Sequence, residues 1–191
     1  TFIINIMKLI VLRHFKRDGS PLFDTSLTEE GLKDSENIVE ELRKLRINDI
    51  YCSPFLRTVQ SIYPFATKYN KTINIDNAIH EGTNDLLFND TNINNHYSFH
   101  NKKYNLSGII NTNYRNSLLI CNIYPQEGND RIIERVHIFI NSLISNKNNK
   151  GKTILIVTHQ CICNAIKKYF DINVEINNNF PMGTFEIINI I

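Results

Sequence analysis

The sequence predicts an α/β protein, a three-layer αβα sandwich with a mostly parallel central sheet. Residues 8–12 and 153–157 are short, β-branched and continuously apolar, the pattern of strands buried on both faces of a parallel sheet. Segments of helical period alternate with such strands along the chain, which puts helices on both faces. With 191 residues, 42% of them apolar, the chain suffices for one substantial core, so one domain over residues 1–191 is expected.

The first strand stops at Arg13-His14, and a polar loop over residues 16–26 follows. Thr28 then marks a helix start as N-cap, with Glu29 and Glu30 in the first turn; Ile38, Val39, Leu42 and Leu45 form its apolar face. Residues 49–52 read as a brief strand. Ser53-Pro54 supplies an N-cap followed by proline at the first helical position, for a helix burying Leu56, Val59, Tyr63 and Ala66. Arg57 falls off that stripe, in the first turn, near the free amides of the helix N-terminus. Residues 72–75 form a shorter strand, and 130–146 an amphipathic helix through Ile133, Val136, Ile140 and Leu143. The strand at 153–157 ends just before His159, a helix follows over 160–170, and residues 184–190 give an edge strand. Residues 83–126 have no clear period and are expected to fold over the sheet end as an irregular cap.

A formal net charge of +2, evenly spread, excludes the basic stripe that nucleic acid requires. Cys52, Cys121, Cys161 and Cys163 suit neither a disulfide framework nor a Cys-x-x-Cys metal site, so they read as free thiols of a cytoplasmic protein. No apolar run approaches the ~20 residues of a membrane span. The apolar opening, residues 1–11, lacks a basic leader and reads as strand rather than signal peptide; Met7-Lys8 reads as a natural start with residues 1–6 upstream. Asn-rich patches at 89–95, 146–149 and 177–179 read as loops.

In open α/β sheets, ligands sit beyond the carboxyl ends of the strands. Arg13, His14 and His159 lie at those ends, and Arg57 opens the helix after another strand, so all four are expected at one crevice. Leu12-Arg13-His14, Leu27-Thr28-x-x-Gly31, Ser53-Pro54-x-x-Arg57-Thr58, Glu81 in a short loop and Thr158-His159 resemble, in order and spacing, the histidine phosphatase (phosphoglycerate-mutase-like) superfamily. The stretch from Glu127-Gly128 through Asp130 to Arg135-Val136 is similar to that family's lead-in helix. The resemblance spans the chain from about Lys8 onward. It implies a phosphoglycerate-mutase-like fold and a phosphatase acting through a phosphohistidine on His14.

Chemistry makes sense of these residue types. A transferring phosphoryl group spreads its charge over three oxygens and needs cationic donors around them, with a nucleophile in line with the leaving group. Arg13 and Arg57 offer forked donors, and His159, if protonated, a third cation. His14 must be neutral at the attacking nitrogen, which an imidazole of pKa about 6.5 permits. A hydrogen bond to a carbonyl of the loop at 16–19 is expected to fix its tautomer. The resemblance makes Glu81 the general acid, with a carboxyl pKa raised by the anionic phosphate and the cap; Asp85 is the fallback. No metal and no cofactor are implied, because the arginines and histidines already supply positive charge. The expected partner is a phosphorylated small molecule or phosphoprotein, with no nucleic acid and no membrane.

Taken singly, each residue has a plainer reading: surface arginines, satisfied strand-end histidines, a solvated loop acid. Strand-end placement and motif order agree only on the catalytic reading. His96 and His100 read as solvent-facing, and Cys161 and Cys163 as helix packing. Phe15 and Gln160 stand where the family usually has glycine, so Phe15 is expected to narrow the pocket or shift the nucleophile's loop. Arg17 is similar to the Arg-His-Gly-x-Arg pattern of the protein-tyrosine and nucleotide phosphatases of the family, and Tyr97, Phe99 and Tyr104 in the cap suit an aryl or nucleoside leaving group. The short stretch after His159, without a basic tail, favours a phosphomonoesterase. A phosphoglycerate mutase, or a catalytically weak phospholigand-binding module, are the alternatives.

Overall fold

The computed structural model describes residues 6–19, 22–83, 108–118 and 126–190. Five strands, β1 (Met7–Arg13), β2 (Asp49–Cys52), β3 (Ile73–Ile75), β4 (Thr153–Thr158) and β5 (Phe185–Ile190), form one sheet in the order β3-β2-β4-β1-β5. β1, β2, β3 and β4 are parallel; β5 takes the expected edge position and runs antiparallel on β1. Alternation along the central strands sends side chains to two cores. Leu9, Val11, Ile154 and Ile156 pack with α4 (Asn129–Ser145) and α5 (Gln160–Tyr169). Ile10, Leu12, Leu155 and Val157 pack with α2 (Val39–Lys44) and α3 (Leu56–Lys68). Helices on both faces of a mostly parallel sheet make the expected three layers.

Thr28 caps α1 (Glu29–Asn37) as expected, its hydroxyl accepting from Gly31 N at 3.0 Å. Gly31 is required there: a Cβ would stand 2.1 Å from the Lys16 carbonyl oxygen, so the first turn of α1 presses on the loop that follows His14. The single helix expected through Leu45 is broken at Ile38, where two β-branched residues in sequence weaken the turn. The ladder still passes through it, with Leu42 N on Ile38 O at 3.0 Å. α3 begins at Leu56 rather than at Pro54, capped by the extended Phe55; the Ser53 hydroxyl accepts from Phe55 N at 3.4 Å and lies closer, at 2.8 Å, to His159 Nε2. Ile62 and Phe65 join Leu56, Val59 and Ala66 in burial, while Tyr63 stays at the margin; in α4, Ile132 and Phe139 are buried and Ile133 lies at the rim.

Of the segment expected to form the cap, residues 108–118 are described, and they run along the edge of β3. Ile73 N bonds Ile109 O at 2.7 Å, and Asn111 N bonds Ile73 O at 2.9 Å. These bonds cover an otherwise bare strand edge. Tyr114 and Ser117 then hold the buried Asp76 carboxylate through their hydroxyls and the Ser117 amide. Residues 84–107 and 119–125, with Asp85, His96, Tyr97, Phe99, His100, Tyr104 and Cys121, lie outside the described residues. Cys52, Cys161 and Cys163 are free thiols, and no described helix is long and apolar enough to cross a membrane.

Ile156 sits fully buried on the central strand β4. Ile156→Ala is expected to cost about 2–5 kcal/mol of stability, seen as a lower urea midpoint at unchanged slope. A loss under about 1 kcal/mol would mean that this sheet face is not packed.

Candidate active site

The carboxyl ends of three parallel strands deliver the site. His14 N continues the ladder one residue past β1, bonding Thr158 O at 3.0 Å, so His14 and His159 leave the sheet side by side with ring centroids 5.3 Å apart. β2 leads directly into Ser53, whose hydroxyl lies 2.8 Å from His159 Nε2. Arg57, in the first turn of α3, is fully buried; it donates to Leu22 O at 2.8 Å and to Glu81 Oε2 at 3.3 Å, with its guanidinium over the Phe55 ring at 4.5 Å. Glu81 Oε2 is also 3.2 Å from His159 Nδ1, an ion-pair approach without an aligned hydrogen bond. His14, His159, Arg57 and Glu81 thus converge as the sequence suggests. Arg13 stands to one side, its Nη1 donating to Gln160 Oε1 and to the Phe180 carbonyl.

Burial sets the histidines' charge. It pushes His14 well below its ordinary pKa, with His159 and Arg57 adding to the effect, so the ring is neutral at neutral pH. A neutral ring facing a carbonyl must donate, so Nδ1–H is the proton given to Phe15 O at 2.7 Å, and Nε2 keeps its lone pair. The carbonyl is therefore that of Phe15, not one from residues 16–19, because the ring folds back on the next peptide. Burial lowers His159 to about 4, against the partial support of Glu81, so the protein's own side chains leave this ring neutral, and the third cation expected of it depends on the anion of the substrate. Glu81 is expected to rise beside an anionic phosphate; the protein's own side chains set the opposite direction. Burial does push it up, but His159 and Arg57 alongside outweigh this and hold it well below the usual carboxylate range. The expectation assumed an anionic neighbour, whereas the side chains around this carboxyl are cationic or protonatable. Arg57 itself falls to about 10 through burial.

Several contributors were not singled out from sequence. Arg135 clamps Glu127 through Nε at 2.8 Å and Nη2 at 2.9 Å, and donates to Ala78 O at 2.6 Å. Thr158 Oγ1 holds Ile79 O at 2.7 Å. Together they fix the 3₁₀ turn Asn77–Ile79 that leads into Glu81. The pairing of Glu127 with Arg135, eight residues on, was visible only as part of a helix lead-in. Cys161, read as packing, has its thiol 3.0 Å from Glu81 Oε1. Phe15 is buried against Gly183, where a Cβ would stand 2.6 Å from the ring and φ is +73°; a glycine at 183 thus houses the side chain that replaces one at 15. His14, His159 and Glu81 are metal-ligating types, with one ligand atom of each within 4.8 Å of the others. Arg57 on the same carboxylate opposes a cation there and suits an anion.

His159 carries a pH signature. The unfolded chain binds its proton near 6.5 and the folded chain only near 4, so stability is complete above 6.5 and is lost as pH falls through that window. From pH 7.5 to 5, His159 alone is expected to remove about 2 kcal/mol from the urea-unfolding free energy. His14 and His80, both held well below 6.5 chiefly by burial, add in the same direction. A flat stability profile between those pH values would contradict the neutral, buried assignment.

No curated protein matches the chain by sequence. Among solved structures, it is similar to the ecdysone phosphate phosphatase of Bombix mori in complex with tungstate, at TM-score 0.68 and 14% identity, over 95% of this chain and 88% of that one. It is similar to a mycobacterial glucosyl-3-phosphoglycerate phosphatase, at TM-score 0.67 and 13% identity, over 96% and 90% of the two chains. A putative alpha-ribazole-5'-P phosphatase of Escherichia coli follows at TM-score 0.66 and 18% identity, again over 96% and 90%. At such identities the likeness is one of fold. The sequence profile of the histidine phosphatase superfamily (branch 1) matches residues 10–190, so nearly the whole chain is accounted for and the protein belongs to that superfamily.

Proposed function

We propose that the protein is a phosphomonoester hydrolase that passes a phosphoryl group through His14 to water, without metal or cofactor. The observation that carries this reading is the neutral His14 ring, tied at Nδ1 to the Phe15 carbonyl, in a buried cluster with His159, Glu81 and Arg57. Nε2 of His14 attacks phosphorus while the bond to the ester oxygen breaks. Arg13, Arg57 and His159 donate to the non-bridging oxygens. Glu81 protonates the departing oxygen, then takes a proton from the water that attacks the phosphohistidine, which releases phosphate and restores His14. The substrate is a phosphorylated small molecule or a phosphoprotein. The names of the structural neighbours, phosphatases of ecdysone phosphate, glucosyl-3-phosphoglycerate and alpha-ribazole-5'-P, favour the former. One domain spans residues 1–191, with 83–126 as an insertion bearing on the leaving group, and the free thiols suit a cytoplasmic location.

Hydrolysis of p-nitrophenyl phosphate, retained in EDTA, is the first test. His14→Ala is expected to lower kcat at least about 10³-fold and Glu81→Gln roughly 10²–10⁴-fold, the latter more severely with an alkyl phosphate whose leaving group needs the proton. Base-quenched enzyme should carry a phosphoryl adduct that is lost on exposure to acid. An acid-stable adduct, or undiminished turnover in His14→Ala, would refute the mechanism. Isomerisation of 3-phosphoglycerate without net phosphate release would point to a mutase, and saturable phosphate binding without turnover to a binding module.

A further inference from the structure

Gln160 opens α5 directly after His159, and the reaction as proposed gives it no part. Its Oε1 accepts from Arg13 Nη1 at 2.9 Å and lies 3.4 Å from the donating Phe180 amide. The Phe180 carbonyl accepts from the same Nη1. One nitrogen of the guanidinium is therefore held between two acceptors on two elements. Arg13 Nε is buried and has no hydrogen-bond partner among the described residues. Securing Nη1 turns the opposite, Nε–Nη2 edge of the planar fork away from α5, and that edge can take two oxygens of one anion.

The second acceptor is itself anchored. Asn164, one turn after Gln160 on the same helix face, donates to Ile176 O at 3.0 Å and to Asn178 O at 2.8 Å, and the Phe180 ring is buried. The face carrying Gln160 and Asn164 thus pins the 176–180 loop, which in turn presents the Phe180 carbonyl to Arg13.

The geometry points to Gln160 as a positioning residue for Arg13, orienting its guanidinium for the phosphate of the substrate. This rests on the phosphatase reading. It assigns a purpose to an amide side chain at the helix N-terminus, where a smaller residue would leave Nη1 to the Phe180 carbonyl alone.

Gln160→Met separates this role from bulk, since it keeps the length and loses the acceptor. Inorganic phosphate binding to the full chain by calorimetry, and p-nitrophenyl phosphate kinetics, are compared with the wild type. Phosphate affinity is expected to fall about tenfold, the worth of one charge-assisted hydrogen bond. KM should rise by a similar factor, with the smaller change in kcat and no movement of the pH profile, and Gln160→Ala should behave alike. Unchanged or tighter phosphate binding in Gln160→Met overturns the assignment, tighter binding meaning that Gln160 competes with the anion. A wild type that binds no phosphate sinks the phosphatase reading, and this one with it; a wild type that binds it while the variant matches sinks this one alone.

Discussion

The constraint on which the site depends is the complete burial of the Arg57 guanidinium. A cation removed from water is tolerable only if its donors and charge are answered inside the protein. Here the answers come from separate pieces of chain: the Leu22 carbonyl, the Phe55 ring and the Glu81 carboxylate. Each of these segments must close on Arg57, and in closing they bring the loop after β1, the start of α3 and the turn after β3 to the ends of β1 and β4.

The histidines belong to the same balance. Low polarity and a nearby guanidinium both disfavour imidazolium, so His14 and His159 are neutral for a shared reason. Neutral rings have one donor and one acceptor nitrogen, and the surroundings decide which is which. His14 spends Nδ1–H on the Phe15 carbonyl, and His80 makes the same bond to the Glu81 carbonyl. A histidine bonded to the peptide that follows it is thus used twice in one neighbourhood, once to free a lone pair and once to brace the loop bearing Glu81. Arg135 and Glu127 complete that brace as a buried bidentate pair.

What could be read from the sequence was whatever depends on local pattern. β1 and β4 were legible because strands buried on both faces have no polar alternation to hide them. The meeting of His14, Arg57 and His159 followed from where such strands end, whereas the side contacts of Arg13 with Gln160 and Phe180 did not. Features set by long-range partners were not legible. Ser53 looked like an N-cap because serine before proline has that signature, yet its hydroxyl serves a ring 106 residues away. Phe15 looked obstructive because its host, Gly183, lies across the sheet edge. The sign of the Glu81 shift depended on which charges surround it, and no local pattern carries that. Residues 108–118 lack a period because they make one bridge and several side-chain contacts in place of a regular element.

The opposed directions for Glu81 are consistent if its pKa is a property of who holds Arg57. With Arg57 and His159 alongside, the carboxyl loses its proton readily. A phosphate dianion, under the proposed function, makes its own claim on the same guanidinium and adds negative charge beside the carboxylate, and both effects push the carboxyl up. The acid would then be generated by the substrate that needs it. Once the ester oxygen has left with the proton, the returned carboxylate is again flanked by cationic and protonatable groups and is poised to accept from water. One buried arginine, competed for by a carboxylate and a phosphate, is in this way sufficient to give a single glutamate two protonation states in the order that hydrolysis requires.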